Sequence, residues 1–234
     1  TAFEKCTKIL GKDHYYTLMA MHNLALTFDN LGETQKAKKI NANILETRKN
    51  LLGLQNTDTI ASINNLAMNY LELEDYEKAE PLFKEALKLN EELLGYEHPN
   101  TLLAINNLSI LLNNIGKYDE AKILLKRNLD VSKRIHGYKH PDTISAMNNL
   151  GCLYLDIKQY EDAEDIFLEV IELQEGNLGL NHPNTKVYCE NLIELYDQTG
   201  EVNKSIPIHE KIIKINEQNL GPKNSKTLNK KQNF

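Results

Sequence analysis

The chain has 234 residues, a formal net charge of −6, a mean hydropathy of −0.49 and three cysteines. Its acidic balance speaks against a general nucleic-acid surface, which needs a basic stripe, and no apolar run reaches the roughly 20 residues of a membrane helix. Cys6, Cys152 and Cys189 show no paired or CxxC spacing, and no secretory signal pattern is seen, so neither a disulfide framework nor a zinc motif is expected and a cytoplasmic setting is.

One short phrase recurs every 42 residues: LGKDHYYT from Leu10, LGLQNTDT from Leu52, LGYEHPNT from Leu94, HGYKHPDT from His136, LGLNHPNT from Leu178 and LGPKNSKT from Leu220. Gly11, Gly53, Gly95, Gly137, Gly179 and Gly221 are thus spaced without insertion or deletion. A fixed period of this length marks a stacked array, in which each unit buries its apolar face only against its neighbours. Residues 1–10 read as the end of a preceding helix, 11–52, 53–94, 95–136, 137–178 and 179–220 as five repeats, and 221–234 as the start of a further one. Both ends therefore look cut.

Each repeat reads as a helical hairpin. In the fourth, Pro141, Asp142 and Thr143 form a helix-start signal, with the Asp side chain placed to cap the first turn. Ile144, Met147, Leu150, Gly151 and Tyr154 then recur with helical period and predict a first helix ending near Ile157. A second helix is predicted from about Tyr160 to Asn177, its apolar face built from Ala163, Ile166, Phe167, Val170, Ile171 and Leu178, with Gly179 closing it in a left-handed conformation. The turn inside the hairpin carries Gly32, Gly116 and Gly200 in three repeats but Glu74 and Lys158 in the other two. A side chain in the left-handed region costs about 1 kcal/mol, so a different turn is expected there. Pro81 and Pro207 fall inside second helices, where bends are expected. Small residues recur where helices must approach: Ala25, Ala67, Ser109 and Gly151 in first helices, and Ala37, Ala79, Ala121 and Ala163 in second ones. Ile193 and Ser205 break that rule, which predicts looser packing in repeat five. Lys and Arg crowd the second helices, as at Lys36, Lys38 and Lys39 or Lys122, Lys126 and Arg127, and read as a solvated outer face.

The succession NNLAMNY from Asn64, YEKAEPLFKEAL from Tyr76 and LGYEHPNT from Leu94 resembles a tetratricopeptide repeat of the 42-residue kinesin-light-chain type. The resemblance runs over practically the whole chain and implies an all-α, right-handed α-solenoid whose first helices line a concave groove. It is far less specific for function, because one fold hosts many sites. The coiled-coil heptads that would join a kinesin light chain to its heavy chain do not occur in this sequence.

Asn23, Asn65, Asn107, Asn149 and Asn191 hold one position in all five first helices, and Asn233 continues the series. At 100° per residue that position lies about 150° from the core stripe, so packing against the core does not account for it. An amide carries a donor and an acceptor and can pair with any peptide backbone, so in the groove these residues would form a ligand-binding ladder. The alternative is that each amide bonds to the next helix and fixes repeat spacing. Asn64, Asn106 and Asn148 flank the line, with His22 and Glu190 at the equivalent positions. Leu26, Met68, Ile110 and Cys152 follow and would make apolar pockets, with Glu194 in that place in repeat five. Glu190, Glu194 and Asp197 turn the last part of the groove acidic, and Lys186 is the one cation of the five first helices, which disfavours a carboxylate clamp. A ligand with a Lys or Arg near repeat five is expected. Five repeats at about three residues each would take on the order of 15 ligand residues.

Nothing in the sequence points to catalysis. No GxSxG, HExxH, P-loop or GxGxxG motif occurs, and His98, His140 and His182 lie one repeat apart, a spacing that suits a turn role and not a shared metal. No cofactor or metal is called for. The sequence therefore predicts a non-enzymatic, monomeric protein–protein interaction module that holds an extended peptide as scaffold or adaptor, without nucleic-acid or membrane partners. The other reading is a regulatory or sensor arm of a larger protein that carries a catalytic or nucleotide-binding domain.

Overall fold

The computed structural model describes residues 2–179 and 182–220, and every regular element among them is an α-helix. By contact the chain divides into two units, Thr1–Lys117 and Tyr118–Phe234. The first holds α1 (Ala2–Leu10), α2 (Tyr15–Asn30), α3 (Thr34–Leu52), α4 (Thr57–Glu72), α5 (Tyr76–Leu94) and α6 (Pro99–Asn114). The second holds α7 (Tyr118–His136), α8 (Pro141–Asp156), α9 (Tyr160–Leu178), α10 (Pro183–Thr199) and α11 (Val202–Leu220). Within each unit every helix packs on the next in sequence, and first helices also touch one repeat on, α4 on α6 and α8 on α10. That is the contact pattern of stacked helical hairpins, as the 42-residue period requires.

The recurring phrase is a junction with three fixed parts. The second helix of one hairpin ends at a glycine with positive φ, between 79° and 86° at Gly53, Gly95, Gly137 and Gly179, a region that favours a residue without Cβ. The threonine that ends the phrase, six residues on, reaches back to that glycine: the Thr17, Thr101, Thr143 and Thr185 hydroxyls donate to the carbonyls of Gly11, Gly95, Gly137 and Gly179 at 2.7–3.2 Å. The third part is the cap of the following helix. His14, His98, His140 and His182 each accept, through Nδ1, the backbone N–H two residues on, and Asn56 does the same through its side-chain oxygen. The sequence placed this role on Asp142. Pro141 occupies the first helical position, so the cap falls to the residue before it and Asp142 lies already inside the helix.

The turn inside each hairpin shows the reverse of the sequence expectation. Glu74 (φ 57°) and Lys158 (φ 61°) occupy the same left-handed conformation as Gly32, Gly116 and Gly200. The same pair of bonds closes all of these turns: Gly32 N donates to Asp29 O and Glu33 N to Phe28 O, while Glu74 N donates to Leu71 O and Asp75 N to Tyr70 O. Both helices of the hairpin are already committed to burying their apolar faces, so the local strain is carried by that packing. α5 and α11 run on through Pro81 and Pro207.

The core is a series of small clusters. In the first unit Leu18, Met21 and Ile44 are joined by Phe3 and Ile40, while Ile60, Ile63 and Ala86 pack with Leu45 of the preceding hairpin, Leu54 of the junction and Leu82 and Leu89 of their own hairpin. Each such side chain contributes about 1.5–3 kcal/mol by leaving water. In the second unit Ile144, Met147, Leu150, Phe167, Val170 and Ile171 are buried, and a Cβ added to Gly151 would come within 2.7 Å of the Phe167 ring. That contact shows why small residues recur at this level; repeat five places buried Ile193 and Ser205 there instead. Polar ties reinforce the stacking. Asn41 of α3 donates to Asn69 of α4 at 2.6 Å, and Asn69 donates in turn to Asp29 of α2 at 3.0 Å. Cations of the second helices sit in exposed ion pairs such as Lys84–Glu80 and Lys88–Glu92, as a solvated face should.

Two stability predictions follow from the turns. Replacing Glu74 by Gly should raise the unfolding free energy by about 0.5–1 kcal/mol, the relief of left-handed strain less the added backbone freedom of the unfolded chain. A urea titration read by circular dichroism measures it. At the junction, His98→Ala should cost about 1 kcal/mol while His98→Asn, which reproduces Asn56, should be close to neutral.

Candidate functional site

The expected ligand-binding residues fall on α2, α4, α6, α8 and α10, and their environments differ. Asn23 is exposed, Asn65, Asn107, Asn149 and Asn191 are half-buried, and Asn233 lies outside the described residues. The asparagines do have a packing role. Asn107 Nδ2 donates to Asn64 Oδ1 at 2.9 Å, and Asn191 Nδ2 donates to Asn148 Oδ1 at 2.8 Å, so an amide of one repeat reaches the flanking asparagine of the repeat before it. The sequence-based angle measured distance from a repeat's own core and not from the neighbouring first helix, which is where these amides point.

That tie leaves capacity unspent. An amide offers two N–H donors and an oxygen with two lone pairs, so Asn107 keeps one N–H and its oxygen, and Asn64 keeps both N–H groups. At Asn65 the flanking position of the preceding repeat is His22, whose imidazole pKa is held below its ordinary value by burial and by the nearby Arg48 charge. Asn64 and Asn65 together line a pocket of about 110 Å³ with Thr57, Ile60, Ala61, Asn90, Asn100, Leu103 and Ala104. Polar amides and an exposed leucine meet there, a mixture suited to a peptide backbone with a small apolar side chain. Asn90, Asn100 and Leu103 are lining residues that the sequence reading did not single out; they belong to the junction and to the outer turn of α6, which no single-helix pattern joins to α4.

The expected apolar floor is mixed. Leu26 and Ile110 are exposed, at 47% and 42%, and Met68 is half-buried. Cys152 behaves differently. Asn148 Nδ2 lies 3.7 Å and Asn191 Nδ2 3.4 Å from its sulfur, and burial, with the Asp156 and Glu194 charges beside it, pushes the thiol pKa up to about 12. Burial likewise raises Cys189 to about 11. Neither thiol is a nucleophile at neutral pH. Asn106 and Asn149 sit half-buried at their expected places on α6 and α8.

The acidic end is present but partly engaged. Glu190 and Glu194 are exposed on α10, yet Lys186 Nζ stands 3.5 Å from Glu190 and Gln198 donates to Glu194 at 3.3 Å. A ligand cation at this place would compete with the chain's own lysine. A second acidic hollow, of about 460 Å³, opens where the turn between α8 and α9 meets the end of α10, lined by Glu161, Asp162, Glu164 and Glu201. Its central carboxylate is occupied: Tyr196 donates to Glu164 at 2.8 Å and Lys204 at 2.9 Å, and burial with that carboxylate lifts the Tyr196 pKa to about 12.

Comparison with known proteins gives the same architecture. No curated protein matches the sequence. Among solved structures, the nearly identical TPR-like repeats assigned to a Podosopora anserina kinesin light chain superpose with a TM-score of 0.71 at 21% identity, over 86% of this chain and 95% of that one. BtubC (BKLC) of P. vanneervenii matches with a TM-score of 0.72 at 18% identity, over 93% and 87%. A Rap protein complexed with Competence and Sporulation Factor matches with 0.73 at 14% identity, over 97% of this chain and 64% of that one. At these identities the likeness is one of fold, an all-α solenoid of the tetratricopeptide type. Tetratricopeptide-repeat family models match residues 58–127, 103–176 and 17–58. With more than half of its length so matched, the chain belongs to the tetratricopeptide repeat family.

Proposed function

We propose that this chain is a protein–protein interaction module whose first helices receive an extended peptide segment of a partner. The observation that carries the reading is the asparagine at one register of every repeat; at Asn107 its amide retains one N–H and its oxygen after tying that repeat to the one before. Backbone capture of this kind is indifferent to ligand side chains, while the pocket beside Asn64 and Asn65 selects among them. The fold supports it too, since a Rap protein of similar architecture is found in complex with Competence and Sporulation Factor. Within the first unit, α2, α4 and α6 at about three ligand residues per repeat would hold a segment of roughly nine. The module acts as scaffold or adaptor and needs no catalytic group.

The dual role of the amides separates two measurements. Asn107→Ala should lower the unfolding free energy by about 1 kcal/mol, because it strands the Asn64 oxygen, whereas Asn23→Ala on the exposed face should change it by less than half that. For binding, peptides selected from a displayed random library against the full chain should lose at least tenfold affinity to Asn65→Ala, with an unfolding midpoint near the parent's. Full affinity in that folded variant would return the asparagines to repeat spacing alone. Among the selected peptides, those with a Lys or Arg at repeat five should gain up to about 0.2–1 kcal/mol on Lys186→Ala, which frees Glu190, and the gain should fade at high salt. Fluorescence anisotropy at two ionic strengths reads both effects.

A further inference from the structure

The junction phrase is described in full at 10–17, 52–59, 94–101 and 136–143, and the last of these departs in its chemistry. Where Leu10, Leu52, Leu94 and Leu178 stand, the junction between α7 and α8 has His136, and it also carries His140 and Asp142. The last two positions hold His and Tyr, Asn and Asp, His and Asn, and His and Asn in the other four. Only at 136, 140 and 142 do two imidazoles and a carboxylate coincide.

The fold draws these side chains together. One ligand atom from each of His136, His140 and Asp142 lies within 4.8 Å of the others. The two rings stack with centroids 4.5 Å apart, and the Asp142 carboxylate oxygen Oδ2 stands 3.8 Å from His136 Nε2 and 3.6 Å from His140 Nδ1. These separations are too long for hydrogen bonds. They are close to the spacing of two donor atoms on one tetrahedral ion with bonds of about 2.0–2.1 Å, roughly 3.3 Å. A second observation points the same way: His136 Nε2 is shielded from solvent and has no hydrogen-bond partner. A buried ring nitrogen facing a carboxylate at non-bonding distance is a group whose natural partner is missing. The leucines at this position pose no such problem.

We propose that His136, His140 and Asp142 form a binding site for a divalent transition-metal ion of the zinc class. Imidazole and carboxylate donors suit zinc, and three protein ligands leave one position for water. His140 Nδ1 now accepts the Asp142 backbone N–H at 3.2 Å, so coordination there exchanges that cap bond for a bond to the ion. All three ligands lie at the junction of α7 and α8, and the ion would pin the end of one helix to the start of the next. The inference is independent of the peptide-binding proposal and departs from the sequence expectation that histidines here lie too far apart for a metal, which compared His140 with His98 and His182 and passed over His136.

The repeat supplies its own control substitutions. His136→Leu installs the residue found at the other junctions and Asp142→Asn the residue of Asn100 and Asn184, so both should fold. Calorimetric titration of the tag-free chain with Zn²⁺, and optical titration with Co²⁺, should show one saturable site with the visible absorption of tetrahedral cobalt. Each substitution should weaken binding at least tenfold, and Zn²⁺ should raise the thermal midpoint of the parent but not of His136→Leu. In the reverse direction, Leu94→His with Asn100→Asp, beside the existing His98, should create a second site and raise the stoichiometry to two. Unchanged binding in His136→Leu, which would place the ion elsewhere (on a cysteine, for example), or no saturable binding by the parent chain, would overturn the proposal.

Discussion

The rest of the structure depends on the short junction between hairpins, closed at Thr17, Thr101, Thr143 and Thr185 by a hydroxyl that reaches back to a glycine carbonyl. The glycine lets the second helix end with positive φ, the threonine bond closes the loop, and a histidine or asparagine caps the following helix. The loop is short and closed at both ends, and the same bonds recur at Gly11, Gly95, Gly137 and Gly179. Residues 42 apart therefore arrive at equivalent places, and a pattern in one dimension becomes a surface in three. Repeat two shows how much of the junction is dispensable: Asn56 replaces the histidine cap, and the buried Thr59 hydroxyl has no partner, yet the helices on either side are intact.

Much of this was legible in the sequence. The period gave the hairpins, the apolar stripes gave the helices to within a few residues, and the spacing of His98, His140 and His182 marked them as turn residues, which their capping bonds show them to be. What was hidden were relations between segments. Glu74 and Lys158 look unsuited to a left-handed turn because propensity is a local quantity, whereas the geometry is imposed by two helices packing over the turn. The asparagine line looked free of packing because a helical wheel knows only its own helix, and the partner of Asn107 is 43 residues away. Lys186 was counted as a lone cation, but on a helix its i,i+4 relation to Glu190 makes it a partner.

On the proposed reading, the amides of the first helices serve stacking and recognition with the same side chains. An aliphatic residue at those positions could bury surface between repeats but would present nothing to a peptide backbone, and a charged residue repeated every 42 positions would repel its copies. Asparagine avoids both difficulties. It satisfies its neighbour with part of its hydrogen-bonding capacity and keeps the rest, at a half-buried depth where water competes less effectively for those bonds. The aspects of the surface that would set specificity are the ones that vary between repeats, such as Leu26, Met68, Ile110 and Cys152 at one equivalent position, or His22, Asn64 and Glu190 at another.

The same distinction explains where new chemistry can enter such a chain. Positions 136 and 142 border the junction but are not among the groups that close it, which are the Gly137 carbonyl, the Thr143 hydroxyl and the His140 cap. Leucine at the first of these positions rests at the end of a helix and is exposed at Leu10 and Leu52 and half-buried at Leu94, so histidine there sacrifices little buried surface. The second lies in the first turn of α8, where aspartate is favoured by the helix dipole whatever else it does. Two substitutions that the fold tolerates for separate reasons thus bring three donor atoms together around a histidine already fixed in place by its capping bond. Repetition is what makes the proposed site possible, since a side chain that the junction places for structural reasons comes within reach of new donor atoms as soon as its neighbours differ, at the cost of the cap bond that an ion would displace.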